Sequence, residues 1–287
     1  MRPVSPAEAY AVSRRTLVEA TIALQTLSPA VFVLVGAHAV QLRAPENALG
    51  LPAFTFDGDF VVNPAGPIRS RAVRGTLEAA GFGLRDKQSG LYERPRAPRE
   101  MRRATQIDVF VPAAFEHEWD SDAYDARATM AQPGLEACLI DRSPMEVATV
   151  DDGRPYQSAA VDVAGVVALL VAKGWKIGER YDQGPEAFAE VRKDLGDVYR
   201  LLQASTPDEN ANILRALRAD RSIRESVSVG SRRLADLCTT GAVGLREFGA
   251  LLGRSEGQRR AVASFAALVE EFTETVDRVF AEPLPSA

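Results

Sequence analysis

Soft metal ligands are scarce in this chain of 287 residues: two cysteines, Cys138 and Cys238, and two histidines, His38 and His117, with no paired spacing among them. Tetrahedral zinc needs four well-spaced ligands, so a structural zinc site is not expected. The cysteines stand far apart among apolar or small residues, which predicts buried thiols of a reducing compartment and no disulfide. Long apolar runs are missing too. No stretch reaches the roughly 18 uninterrupted apolar residues of a membrane span, and Glu8, Arg14 and Arg15 interrupt the place of a signal peptide's apolar core. The expectation is a cytoplasmic protein with no membrane partner. A net positive charge is also lacking: 34 Lys plus Arg against 39 Asp plus Glu give −5. No global field draws the chain onto nucleic acid, and any RNA contact has to be local.

What is present is an ordinary globular composition, 46% hydrophobic and 25% charged. A chain of this length buries roughly 75% of its unfolded surface, enough for two medium domains. Ser5 and Pro6 open a helix of about 23 residues that ends near Ser28-Pro29. Val31 to Val35 reads as a buried strand, stopping at Gly36 and turning into a short helix, Ala37 to Leu42. After a loop, Arg43 to Pro52, the segment Phe54 to Val62 alternates: Phe54, Phe56 and Phe60 on one face, Thr55, Asp57 and Asp59 on the other. A helix from about Pro67 to Ala80, a hairpin-like stretch Phe82 to Tyr92 and a strand Thr105 to Val111 follow. Leu135 to Ile140 and Met145 to Val150 read as two more short strands. Beyond about Val161 helical periods take over, at roughly 162–178, 186–204, 207–218, 220–238, 243–252 and 257–281. The reading is an α/β domain with a mixed sheet, residues 1–155, followed by an all-α domain, residues 156–287.

Residues two apart on a strand project to the same side, so Asp57 and Asp59 stand side by side. Unpaired they repel, and a divalent cation removes that cost. Two cations about 3.5 to 4 Å apart can activate a nucleophile and stabilise a leaving oxygen in phosphoryl chemistry. An Asp-x-Asp pair is equally the ordinary content of a solvated strand or turn. In Gln106 to Val111 the apolar Ile107, Val109 and Val111 face one way and Asp108 the other, so an acid embedded there needs a partner. If that strand neighbours the first, three carboxylates converge. Asp108 alone could instead pair with a nearby arginine.

Gly36-Ala37 after an apolar strand, then Asp57-Gly58-Asp59, then Asp108 on a later strand, resembles the polymerase-β-type nucleotidyltransferase superfamily. Ala37 departs from its usual Gly-Gly or Gly-Ser, which removes a hydroxyl that could touch nucleotide phosphates and leaves the backbone amides at the helix start. Leu169 to Lys173, then Arg180, then Arg192-Lys193-Asp194-Leu195-Gly196-Asp197 resembles the Lys…Arg…Lys/Arg-Asp-x-x-Asp pattern of AbiEii-like abortive-infection toxins, a nucleotidyltransferase branch. The matching stretches are about residues 31–62, 105–111 and 166–202. This resemblance implies Mg²⁺ or Mn²⁺ held by Asp57, Asp59 and Asp108, an NTP substrate near Gly36 and Ala37, Lys173 at the triphosphate and Asp194 as an essential acid. It also implies transfer of a nucleotide to transfer RNA, and an antitoxin encoded separately. A small-molecule or protein acceptor, or a non-catalytic nucleotide-binding protein of the same fold, is the alternative.

Spacing adds two further observations. Lys173, Lys176 and Arg180 follow i, i+3, i+7 and align on one helix face, where they could meet a triphosphate or the acids Asp194 and Asp197. Three of only four lysines, Lys173, Lys176 and Lys193, fall in this window of an arginine-rich chain, and an ammonium is a compact point charge suited to phosphate. Arg94, Arg96, Arg99, Arg102 and Arg103 form a local basic stretch offset only by Glu100, able to receive an RNA backbone or simply to be solvated. His38 is expected to pack at its helix start.

Overall fold

The computed structural model describes residues 5–28, 31–45, 55–85, 88–119, 127–150, 153–238, 242–253 and 257–283. Pro29, Phe54, most of the expected loop before Ala53 and the tail 284–287 lie outside the described residues. Contacts divide the chain into two units: Met1–Ala39 with Ala53–Gln132 and Arg142–Ala164, and Val40–Pro52 with Pro133–Asp141 and Gly165–Ala287.

The first unit is α/β. Helix α1 (Pro6–Gln25) starts in a capping box: the Ser5 hydroxyl accepts from the Glu8 amide at 3.2 Å, and the Glu8 carboxylate accepts from the Ser5 amide at 2.8 Å. Strand β1 (Phe32–Val35) is buried along its whole length and runs directly into α2 (Gly36–Arg43). Then come β2 (Asp57–Val62), α3 (Ser70–Ala79), the short β3 (Gly83–Leu84) and β4 (Leu91–Glu93), β5 (Gln106–Pro112), β6 (Met130–Gln132), β7 (Arg142–Ala148) and β8 (Ser158–Ala164). They form one mixed sheet in the order β3-β4-β5-β2-β1-β8-β7, with β6 also on β5. At its centre β1 is antiparallel to β2, and β2 is parallel to β5.

Alternation decides which face is covered. A Cβ on Gly58 would fall 2.9 Å from both Ile107 and Leu17 of α1, and Leu17, Phe60, Ile107 and Val109 are buried. Their neighbours Asp57, Asp59 and Asp108 therefore project from the opposite face of the sheet.

The second unit is helical: α4 (Val166–Asp182), α5 (Phe188–Gln203), α6 (Pro207–Ala219), α7 (Arg224–Cys238), α8 (Val243–Leu252) and α9 (Gln258–Ala281). Helices α4 and α7 cross with backbones nearly touching, since a Cβ on Gly174 would fall 2.0 Å from the Gly230 carbonyl. Tyr199, Phe248 and Phe265 build an aromatic centre, the two Phe rings 4.4 Å apart between centroids. Both cysteines are buried, and burial pushes the Cys238 thiol up to about 12.

Two sequence expectations change. The chain enters the main helical run at Gly165, later than residue 156, because Ser158–Ala164 is a strand pairing with β1 and β7. Its Ala159, Val161 and Val163 alternate, but they are small residues that merge into the helical pattern after them. Leu135–Ile140 is no strand: Glu136–Leu139 form a 3-10 turn whose buried Glu136 accepts from the Ser226 hydroxyl at 2.6 Å. A six-residue apolar run does not by itself distinguish a strand from a buried turn. Among the described residues no helix is long and apolar enough to cross a membrane.

Candidate functional site

In the first unit, register brings the acids together. Asp59 lies opposite Asp108 across the parallel β2–β5 pair and opposite Val35 across the antiparallel β1–β2 pair. Asp57, one pleat before Asp59, shares its face. Each of the three half-buried carboxylates offers an oxygen, and these oxygens lie within 4.8 Å of one another. Two negative charges at that separation repel by about 3 kcal/mol at an effective dielectric near 20. Such a set is costly unless a cation or a proton is shared. Three hard oxygen donors and no sulfur or imidazole suit Mg²⁺ or Mn²⁺ rather than zinc or copper.

Two neighbours fix the acids. The Thr55 hydroxyl donates to Asp57 Oδ1 at 2.8 Å from a fully buried position, a support that the Thr55–Asp57 spacing on one strand face could have revealed. Gly36 adopts φ +66°, and a Cβ there would fall 1.8 Å from Asp59 Oδ2. The strand-to-helix turn can approach the carboxylate because its first residue has no side chain. Ala37 follows as a buried residue of α2. His38 is fully buried, its Nε2 2.9 Å from the Ser13 hydroxyl, and belongs to the packing between α1 and α2.

In the second unit, α4 and α5 hold the other predicted group. Lys173 Nζ donates to Asp194 Oδ1 at 2.5 Å and to Asp197 Oδ2 at 2.6 Å, and all three residues are buried. Arg180 Nη1 donates to Asp194 Oδ2 at 2.5 Å and to the Glu190 carbonyl at 3.1 Å. Lys176 stands 3.8 Å from Asp194. Burial would depress the Lys173 ammonium, but Asp194 and Asp197 outweigh it and hold the group above the ordinary lysine range. Burial would likewise raise the Asp194 carboxyl, and Lys173, Lys176 and Arg180 together hold it below the ordinary range instead. Both members are thus charged. The helix face predicted from spacing exists, and its cations meet acids of the next helix.

A second capping arrangement had no sequence signal. Asp141 Oδ2 accepts from the Ala168 amide at 2.9 Å at the start of α4, and a Cβ on Gly165 would fall 1.9 Å from its Oδ1. Burial pushes this carboxyl up, against the amide bonds of Ala168 and Val167 and the charge of Arg43.

The basic stretch divides. Arg94 pairs with Glu19, donates to the Ala80 carbonyl at 3.3 Å and lies 4.4 Å over the Phe82 ring. Arg96, Arg99, Arg102 and Arg103 are exposed. No family model matches the chain, and no match was found to a curated protein or to a solved structure.

Proposed function

We propose that the chain is a metal-dependent nucleotidyltransferase of the AbiEii-like kind, moving an NMP from an NTP to an acceptor hydroxyl, with RNA, most specifically transfer RNA, as acceptor. The observation that carries the reading is the convergence of Asp57, Asp59 and Asp108 from adjacent strands, with Gly36 abutting Asp59. Asp57, Asp59 and Asp108 would hold Mg²⁺ or Mn²⁺, which when bound neutralises the carboxylates and polarises phosphate oxygens. The acceptor oxygen attacks the α-phosphorus, the bond to the β-phosphate oxygen breaks and pyrophosphate leaves. Asp108 is the group to receive the hydroxyl proton, and Thr55 keeps Asp57 aimed into the site. The side-chain-free turn at Gly36, followed by Ala37, leaves room for phosphate oxygens beside α2.

The cations of the second unit carry a different weight. Lys173 is saturated by two carboxylates, so its first role is to fix α4 against α5, and the half-exposed Lys176 is the cation of that face with capacity left for a phosphate. Arg180, bound to Asp194 and Glu190, joins Lys173 in the structural role. Exposed Arg99, Arg102 and Arg103 supply phosphate affinity for an RNA acceptor. A separately encoded antitoxin is the protein partner this reading includes.

Incubation with each labelled NTP, Mg²⁺ or Mn²⁺ and total RNA is expected to give label transfer that Asp57→Ala with Asp59→Ala abolishes. Saturable NTP binding without transfer to RNA, protein or a panel of small molecules overturns the enzymatic reading in favour of a nucleotide-binding protein.

A further inference from the structure

The first unit contains a cavity of about 690 Å³ whose wall includes Arg15, Arg94, Arg96, Arg154 and Glu19. Its α1 residues Val12, Arg15, Thr16 and Glu19 recur at i, i+3, i+4 and i+7, one face of the helix. Helix α1 covers the sheet face opposite to Asp57, Asp59 and Asp108, so the cavity and the carboxylates are on different sides of the sheet.

Its charge is unusual for this chain. Four guanidiniums and one carboxylate leave a net +3 in the wall, within a protein of net −5. The single carboxylate, Glu19, is engaged by Arg94, which Phe82 and the Ala80 carbonyl hold in place from two further sides. Arg15 is 7% exposed and donates to the Pro155 carbonyl at 3.2 Å, so its guanidinium is positioned before any ligand arrives. Arg96 is exposed and forms no hydrogen bond or ion pair among the described residues. The fixed guanidinium of Arg15 and the uncommitted one of Arg96 offer phosphate oxygens paired N–H donors, while Arg94 offsets the charge of Glu19.

The remaining wall is mostly apolar, with Val12, Pro95, Ala97, Pro98 and Met101 beside the arginines and the threonines Thr16 and Thr105. A site with cationic and apolar sides, in the size range of small-molecule pockets, takes a ligand with several phosphates and a flat, weakly polar body. We propose that this cavity binds a nucleoside polyphosphate, at a site separate from the carboxylate cluster. The inference does not depend on the activity proposed above.

Calorimetric titration of the full chain with ATP in EDTA at low salt tests it, with tripolyphosphate as the probe that lacks a base. Saturable ATP binding is expected, retained in Asp57→Asn/Asp59→Asn and weakened roughly tenfold or more in Arg96→Glu/Arg154→Glu, two exposed positions. Tripolyphosphate is expected to bind more weakly than ATP, because it leaves the apolar wall uncovered. ATP binding lost with the aspartates and unmoved by the arginine changes overturns the proposal. Absence of ATP binding, or a short RNA bound through the same arginines without competition from ATP, overturns it equally.

Discussion

Lys173→Met removes the ammonium at the centre of the α4–α5 interface while keeping a side chain of similar length. Asp194 and Asp197 are then left buried with their nearest cation gone; Arg180 and Lys176 still reach Asp194, but no other cation bonds Asp197 among the ion pairs of the described residues. Removing one partner of a buried pair costs about 3–5 kcal/mol, because the residual charge stays desolvated. At about 2–4 °C per kcal/mol for a protein of 150–250 residues, the helical unit should melt roughly 10 °C lower. Far-UV circular dichroism through thermal and urea unfolding reads this directly. The further changes Asp194→Asn and Asp197→Asn, which discharge the stranded acids, should recover much of the loss. A single variant within about 1 kcal/mol of the parent would refute the account of a tightly coupled internal network.

The same network gives a pH dependence, and single positions test the turns. Asp194 has a folded value below its unfolded one of about 3.9, so its stabilisation is present above that pH and lost as pH falls through the acid range toward the folded value. Lys173 lies above its ordinary value, so its contribution is complete below about pH 10.4 and disappears only as pH rises through the higher folded value. Acid unfolding followed by circular dichroism should therefore be shallower in Asp194→Asn than in the parent between pH 4 and pH 2, as an order-of-magnitude window. Gly36→Ala places a methyl group on Asp59 Oδ2 in a left-handed backbone and should cost about 1–2 kcal/mol in stability, with nucleotidyl transfer falling at least about tenfold; unchanged transfer would show that the close approach is dispensable. Gly165→Ala drives Asp141 off the start of α4 and should lower helical-unit stability by about 1–2 kcal/mol in urea titration.

The sequence made the carboxylate cluster legible because period-2 alternation is a strong signal when one face is apolar: Phe60, Ile107 and Val109 point to the core and leave the three aspartates on the other face. Strand pairing was the missing step. Alternation assigns a face to each strand, and only the β2–β5 register places Asp108 opposite Asp59. The i, i+3, i+7 cations were also legible as a helix face, but not their depth. Residues three apart on a helix differ by about 60° in direction, enough to sink the Lys173 side chain to 7% exposure while that of Lys176 stays 48% exposed. The support of α4 by Asp141 and Gly165 and the gathering of Arg15, Arg94 and Arg154 depend on residues distant in sequence meeting in space. No periodicity within one segment reports that.

Titration with Mn²⁺, followed by the loss of its free-ion electron paramagnetic resonance signal, tests the carboxylate cluster most directly. Saturable binding in the parent, abolished in Asp57→Asn/Asp59→Asn and weakened in Asp108→Asn with the fold intact by circular dichroism, is the predicted result. Mn²⁺ binding that all these variants retain undiminished, or none in the parent even with an NTP present, would contradict the account.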